Sequence, residues 1–147
     1  MTYQNFSFDI DADGIALVTW NMPGRSMNVI DAKVMEEPAA IVEKVATDAA
    51  IKGAVLTSGK DAFCAGADLT MLETQSRAFA AMLKAQGEEA ANKQLFEESR
   101  KLSQIARRME TCGKPWVAAI NGTAPPTPLG SLLLNSKAIP GVTIKTP

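Results

Sequence analysis

The chemistry open to this chain is set first by what it lacks, because its 147 residues contain no histidine. Without an imidazole neither a Ser-His-Asp nor a Cys-His arrangement can be assembled, and Cys64 has no customary base to activate it. Cys64 and Cys112 are the only two cysteines. They are too few for a disulfide framework, and with no histidine a zinc site of ordinary ligand type has almost no material, so no metal is expected. Cys64 is read instead as a small buried apolar residue. What remains is backbone-amide and carboxylate chemistry, and it converges on Gly53 to Leu69. There an apolar run of strand length, Ala54 to Leu56, leads into a Gly-punctuated turn and then Asp68, a helix N-cap type. Such a strand-loop-helix junction exposes unpaired N–H groups, and Gly66 between Ala65 and Ala67 keeps side chains out of the way. The arrangement suits an oxyanion.

The sequence Phe-Cys-Ala-Gly-Ala-Asp-Leu at 63–69 resembles the first signature of the crotonase (enoyl-CoA hydratase/isomerase) superfamily. Pro23-Gly24-Arg25-Ser26-Met27-Asn28 resembles the early loop of that family that contacts acyl-CoA, and Lys114 to Gly122 resembles its second core strand. The likeness runs from about Phe6 to Ala124 and is greatest to the hydratase part of the multifunctional fatty-acid-oxidation alpha subunits, which continue into a hydroxyacyl-CoA dehydrogenase. It implies an α/β fold, an incomplete crotonase (ClpP-like) spiral of ββα units with parallel strands and crossover helices. Residues 1–124 would be the N-terminal part of such a domain, and 125–147 a divergent Pro-rich tail.

The resemblance also implies a ligand, an acyl-CoA thioester whose coenzyme A belongs to the substrate, so no separate cofactor is expected. In the family the thioester oxygen accepts two backbone N–H bonds while negative charge develops on it, and each such donor lowers a barrier by about 2.7–4 kcal/mol. Ala67 matches one donor. Ala65, Gly66, Asp68 and Leu69 would border the ligand, and Arg25, Ser26 and Met27 would flank coenzyme A with the guanidinium near phosphate. Lys60 is either a solvated loop charge or a second phosphate partner. For Asp68, helix capping competes with ligand contact and needs no partner beyond the local backbone.

The second donor of the family lies in a Gly-Gly-Gly segment, followed by a catalytic Glu in the first turn of a helix and by a further Glu. Here Asn121-Gly122-Thr123-Ala124 runs into Pro125-Pro126-Thr127-Pro128-Leu129-Gly130, and proline has no N–H to donate. No Asp or Glu follows Glu110. The family's two catalytic carboxylates are thus unmatched, and impaired hydration is expected. Glu73, on the helix after the loop, is the candidate substitute, against the plainer reading of a solvated helix residue. The abrupt change at Pro125 suggests a frameshift, an alternative terminus or a misassembled reading frame.

These residues need elements to position them. At this length one domain burying roughly 68–70% of its unfolded surface is expected. A hydrophobic content of 46% and a net charge of −1 give no reason to expect nucleic acid or an anionic membrane as partner. Met1 to Asn5 has no basic segment followed by an apolar core, and no apolar run approaches a membrane span of ~20 residues, so a cytoplasmic location is expected. Phe6–Ile10 and Ile15–Trp20 predict a hairpin around Asp11-Ala12-Asp13-Gly14. Asp31 is predicted to cap a helix to about Ala46 that Pro38 interrupts. Thr70 to Gly87 reads as a loosely specified helix, 87–92 as a break, and Gln94 to Glu110 as the most regular helix. Trp116 to Ile120 reads as a buried strand parallel to that at 54–57. Short runs at 131–135 and 141–145 read as edge strands. With partner layers missing, the strands would be incompletely covered, and self-association, as a homo-oligomer or through the uncovered core face, is expected.

Overall fold

A computed structural model describes residues 3–124. The element order is β1 (Phe6–Ile10), β2 (Ile15–Trp20), α1 (Glu36–Thr47), β3 (Gly53–Ser58), α2 (Leu69–Gln86), α3 (Glu88–Thr111) and β4 (Trp116–Ala119). The four strands form one sheet in chain order, β1 antiparallel to β2, and β2, β3 and β4 mutually parallel. The predicted hairpin, helices and strands are all present, and the runs at 131–135 and 141–145 lie outside the described residues.

Strand alternation decides what the sheet buries. Phe6, Val18, Trp20, Leu56 and Trp116 share one face, on which Phe6 stacks against Trp20 at a centroid distance of 5.7 Å. Ile41, Val42 and Val45 of α1 and Met109 of α3 join these strand residues in the core. Two polar clasps hold α1, one to α3 and one to the segment that leads into β1. Glu43 takes a forked bond from Arg108 at 2.6 and 2.9 Å, and Glu37 accepts from the backbone N–H of Gln4 and of Asn5, each at 3.0 Å. The opposite face carries the register row Leu17, Val55, Val117, with Leu17 left 43% exposed. Among the described residues no helix is long and apolar enough to cross a membrane.

Two boundaries differ from the sequence reading. Asp31 does not cap α1; its carboxylate accepts from Val34 N–H at 2.8 Å and closes a separate turn. The helix starts at Glu36, which puts Pro38 in the first turn, where its missing N–H would have had no partner in any case. The break expected at 87–92 shrinks to Gly87 alone. At φ 86° that glycine reverses the chain in one residue, and α3 runs from Glu88 because Ala91 gives its polar first turns a buried contact.

Candidate functional site

The C-terminal ends of the parallel strands β3 and β4 lie side by side, the position where open parallel sheets place ligands. Asn28 organises the loops that gather there. It is fully buried, its Oδ1 accepts from Met22 N–H at 3.0 Å, and its Nδ2 donates to the Trp20 carbonyl and Ser58 Oγ, each at 2.9 Å. Its backbone carbonyl accepts from Ala65 N–H at 2.8 Å. One amide therefore fixes both the 21–28 loop and the 58–65 loop. From the other side Thr123 C=O accepts from Phe63 N–H at 3.1 Å, and Asn121 Nδ2 donates to Lys60 C=O at 2.5 Å.

The loop so held presents one backbone amide outward. Ile30 and Ala67 form a parallel bridge in which Ile30 N–H donates to Gly66 C=O at 2.8 Å and Asp68 N–H donates to Ile30 C=O at 2.9 Å. In a parallel bridge the central residue lends its neighbours' groups, so Ala67's own N–H and C=O face away from Ile30. Among the described residues no acceptor takes the Ala67 N–H. Gly66 makes this possible at φ 108°, a conformation costly for any residue with a Cβ. Ala67 is exposed and stands in the wall of a cleft of about 490 Å³, with Ile30, Met35, Met71, Gln75 and Leu102.

The other expected site residues distribute unevenly. Asp68 is the N-cap of α2, accepting from Met71 N–H at 3.0 Å, and its second oxygen pairs with Arg25 at 2.8 Å. The Met71 N–H above all, with Arg25, holds the Asp68 carboxyl below the usual carboxylate range against some opposition from desolvation. Capping and a polar contact therefore coexist in one carboxylate. Arg25 stands with Asp31, Lys33 and Asp68 at the rim of a neighbouring cleft of about 530 Å³. Ser26, Met27, Ala65 and Leu69 are exposed, Leu69 at 81%. Lys60 lies on the loop after β3, its N–H donating to Ser58 Oγ at 3.0 Å. Glu73 sits on the exposed side of α2, paired with Arg77 at 2.6 Å. Cys64 is buried, which pushes its thiol up, and its sulfur accepts from Gly66 N–H at 3.3 Å.

A pH dependence follows from Asp68. Its folded-state pKa is depressed below the unfolded value of about 3.9, so its contribution to stability is complete above that value. It is lost as pH falls through the lower folded value. Acid titration followed by circular dichroism is expected to show Asp68→Asn flattening this limb below about pH 4. Asn retains the cap without a titrating group.

Sequence reasoning overlooked three participants. Asn28 was legible only as a letter of a loop motif. Glu36 and Glu98, which also stand in the wall of the Ala67 cleft, carry no local mark that separates them from other helix-surface carboxylates. Glu98 is paired with Lys101 at 2.6 Å.

The arrangement is shared with known proteins. The structure is similar to that of a Legionella pneumophila protein described as an enoyl-CoA hydratase/isomerase (crotonase), with a TM-score of 0.64 at 23% identity, over 82% of this chain and 41% of that one. A Shewanella pealeana enoyl-CoA hydratase gives a TM-score of 0.67 at 17% identity, over 82% and 40%. The fold is therefore the crotonase fold. In sequence, residues 11–130 match the family model described as Enoyl-CoA hydratase/isomerase. The chain belongs to that family. The fatty acid oxidation complex subunit alpha of Shewanella amazonensis is 38% identical over 120 residues, 81% of this chain but 15% of that protein.

Proposed function

We propose that this chain binds an acyl-CoA thioester with the carbonyl oxygen on the Ala67 N–H. The site would be that of a hydratase adding water syn across the double bond of a 2-enoyl-CoA in fatty-acid β-oxidation. As written, it would turn substrate over poorly. The observation that carries the reading is the Ala67 amide, left without an acceptor among the described residues, beside a cleft, by the pairing of its two neighbours. Membership of the family and the likeness to fatty-acid-oxidation alpha subunits support the substrate class. Arg25 and Lys33 at the rim of the adjoining cleft supply cations for the phosphates of coenzyme A, with Arg25 exchanging its bond to Asp68 for one to phosphate. Lys60 is the further cation in this reading. Coenzyme A arrives with the substrate, and no other cofactor is required. A cytoplasmic location fits this metabolism.

Poor turnover follows from the carboxylates. Hydration needs an acid and a base placed over C2 and C3, and residues 111–147 contain neither Asp nor Glu. Glu73 is turned to solvent and paired with Arg77, and of the two carboxylates in the Ala67 cleft, Glu36 and Glu98, the second is held by Lys101, so no acid/base pair is left. Calorimetry with butanoyl-CoA is expected to register binding, while the conjugated-enoyl absorbance of crotonyl-CoA decays little above the uncatalysed rate. Absence of heat would remove the binding reading; rapid decay would remove the impairment.

A second reading, self-association without catalysis, is favoured by the row Leu17, Val55, Val117, in which Leu17 is exposed and the two valines are part-buried. Sedimentation that returns only monomer would exclude it.

A further inference from the structure

Adding water across a double bond takes an acid and a base, but removing one proton from C2 of a thioester takes a base alone. The Ala67 cleft holds one carboxylate that nothing else employs. Glu36 opens α1 in the wall of that cleft, and the chain that leads to it from the bridge between Ile30 and Ala67 is tightly folded. Asp31 accepts from Val34 N–H at 2.8 Å through its carboxylate and from Met35 N–H at 3.2 Å through its carbonyl, and Lys33 C=O accepts from Glu36 N–H at 3.2 Å. These bonds keep the first turn of α1 close to Ala67. The neighbouring acids are committed, Glu37 to the N–H groups of Gln4 and Asn5 at 3.0 Å each and Glu98 to Lys101 at 2.6 Å. Glu36 is exposed, and among the described residues no cation pairs with its carboxylate.

We propose that Glu36 is a catalytic base at the Ala67 site and that the reaction left to this chain is enolisation, the reversible removal of a C2 proton. This rests on the acyl-CoA reading given above. The C2–H bond breaks, its proton passes to a carboxylate oxygen of Glu36, and the electron pair moves onto the thioester oxygen, where Ala67 N–H stabilises the charge. The exposed carboxyl then trades its proton with solvent and returns one to C2. No water is added, and no second carboxylate takes part. The substrate class is therefore any acyl-CoA with a hydrogen at C2, saturated chains included, and a thioester with a stereocentre at C2 would be epimerised. An acid in the first turn of a helix also suits the helix dipole. That role is structural, and isotope exchange separates it from catalysis.

The test is deuterium incorporation at C2 of butanoyl-CoA in deuterium oxide, read by mass spectrometry, with the full chain and three variants. Wild type is expected to incorporate deuterium faster than buffer alone. Glu36→Gln should lose about 100-fold or fall to the buffer rate, since a positioned base contributes at least that much, while its calorimetric affinity for butanoyl-CoA is kept. Glu97→Gln, which removes an exposed carboxylate of α3 that lines neither cleft, should exchange like wild type. Wild-type exchange in Glu36→Gln, or a loss confined to Glu98→Gln, would overturn the assignment of the base. So would a loss of exchange that only tracks a loss of folded protein by circular dichroism. If wild type binds butanoyl-CoA without exchanging it, enolisation fails while acyl-CoA binding stands. If calorimetry registers no binding, both fail.

Discussion

Ala67→Pro is expected to reduce stabilisation of a thioester enolate by about 100- to 1,000-fold, the usual consequence of deleting one oxyanion donor, while leaving the melting temperature nearly unchanged. The separation of the two readouts follows from the bridge at Ile30. Its hydrogen bonds use the Gly66 carbonyl and the Asp68 N–H, so proline at 67 deletes an N–H that no described residue accepts. The preceding residue is a glycine, the one most tolerant of the restrictions that a following proline imposes. Acetoacetyl-CoA provides the measurement, because its enolate absorbs strongly and is favoured by whatever donors meet the carbonyl oxygen. An unchanged enolate signal in the variant would show that the Ala67 amide does not meet the ligand. A collapsed melting curve would show instead that this amide has a structural partner, and the site would have to be placed elsewhere.

Asn28→Leu is expected to destabilise the chain by about 3 kcal/mol, which unfolds it at a urea concentration roughly 1–3 M lower. Four bonds of the buried amide disappear, the long one to the Phe63 carbonyl the weakest, each ordinary one worth about 0.5–1.5 kcal/mol net, and Met22 N–H is left buried without its acceptor. Other partners soften the loss. The Trp20 carbonyl still accepts from Gly59 N–H at 2.9 Å, and Ser58 Oγ still donates to the Ala62 carbonyl at 2.8 Å. Asn28→Asp should be at least as damaging, although it changes one atom type. A carboxylate can accept from Met22 N–H but faces the Trp20 carbonyl with a lone pair instead of a donor, and burying that charge unpaired is costly. Because total stability is about 5–15 kcal/mol, both variants should also loosen the 63–68 loop and weaken acyl-CoA binding before they unfold the chain. Wild-type stability in Asn28→Asp would contradict the role given to this residue.

Most elements were legible because they repeat a simple period. The alternation in Phe6–Ile10 and Ile15–Trp20 specifies a half-buried hairpin in any context, and Asp68 followed by a helical run specifies a cap whether or not a ligand is near. Two boundaries were misjudged where a single residue had two possible uses. Asp31 is as good a cap for a short turn as for a helix, and only the packing of Val34, Ile41 and Val45 against the sheet decides where α1 begins. The polar stretch 88–92 looked like a break because its one buried anchor, Ala91, is invisible without the surface it touches.

Residue types and order alone determined the family, the strand-loop-helix junction around Ala67, the exclusion of histidine chemistry and the want of carboxylates after Glu110. These are properties of composition and of neighbours in the chain, set by local backbone preference. Tertiary structure decided that no described residue accepts from Ala67 N–H while the flanking groups are paired, and that Arg25 rests on Asp68. Each of these depends on atoms from distant parts of the chain, Arg25 and Asp68 lying 43 residues apart, brought together by bonds such as those of Asn28. A one-dimensional pattern holds no information on which of two adjacent amides points inward.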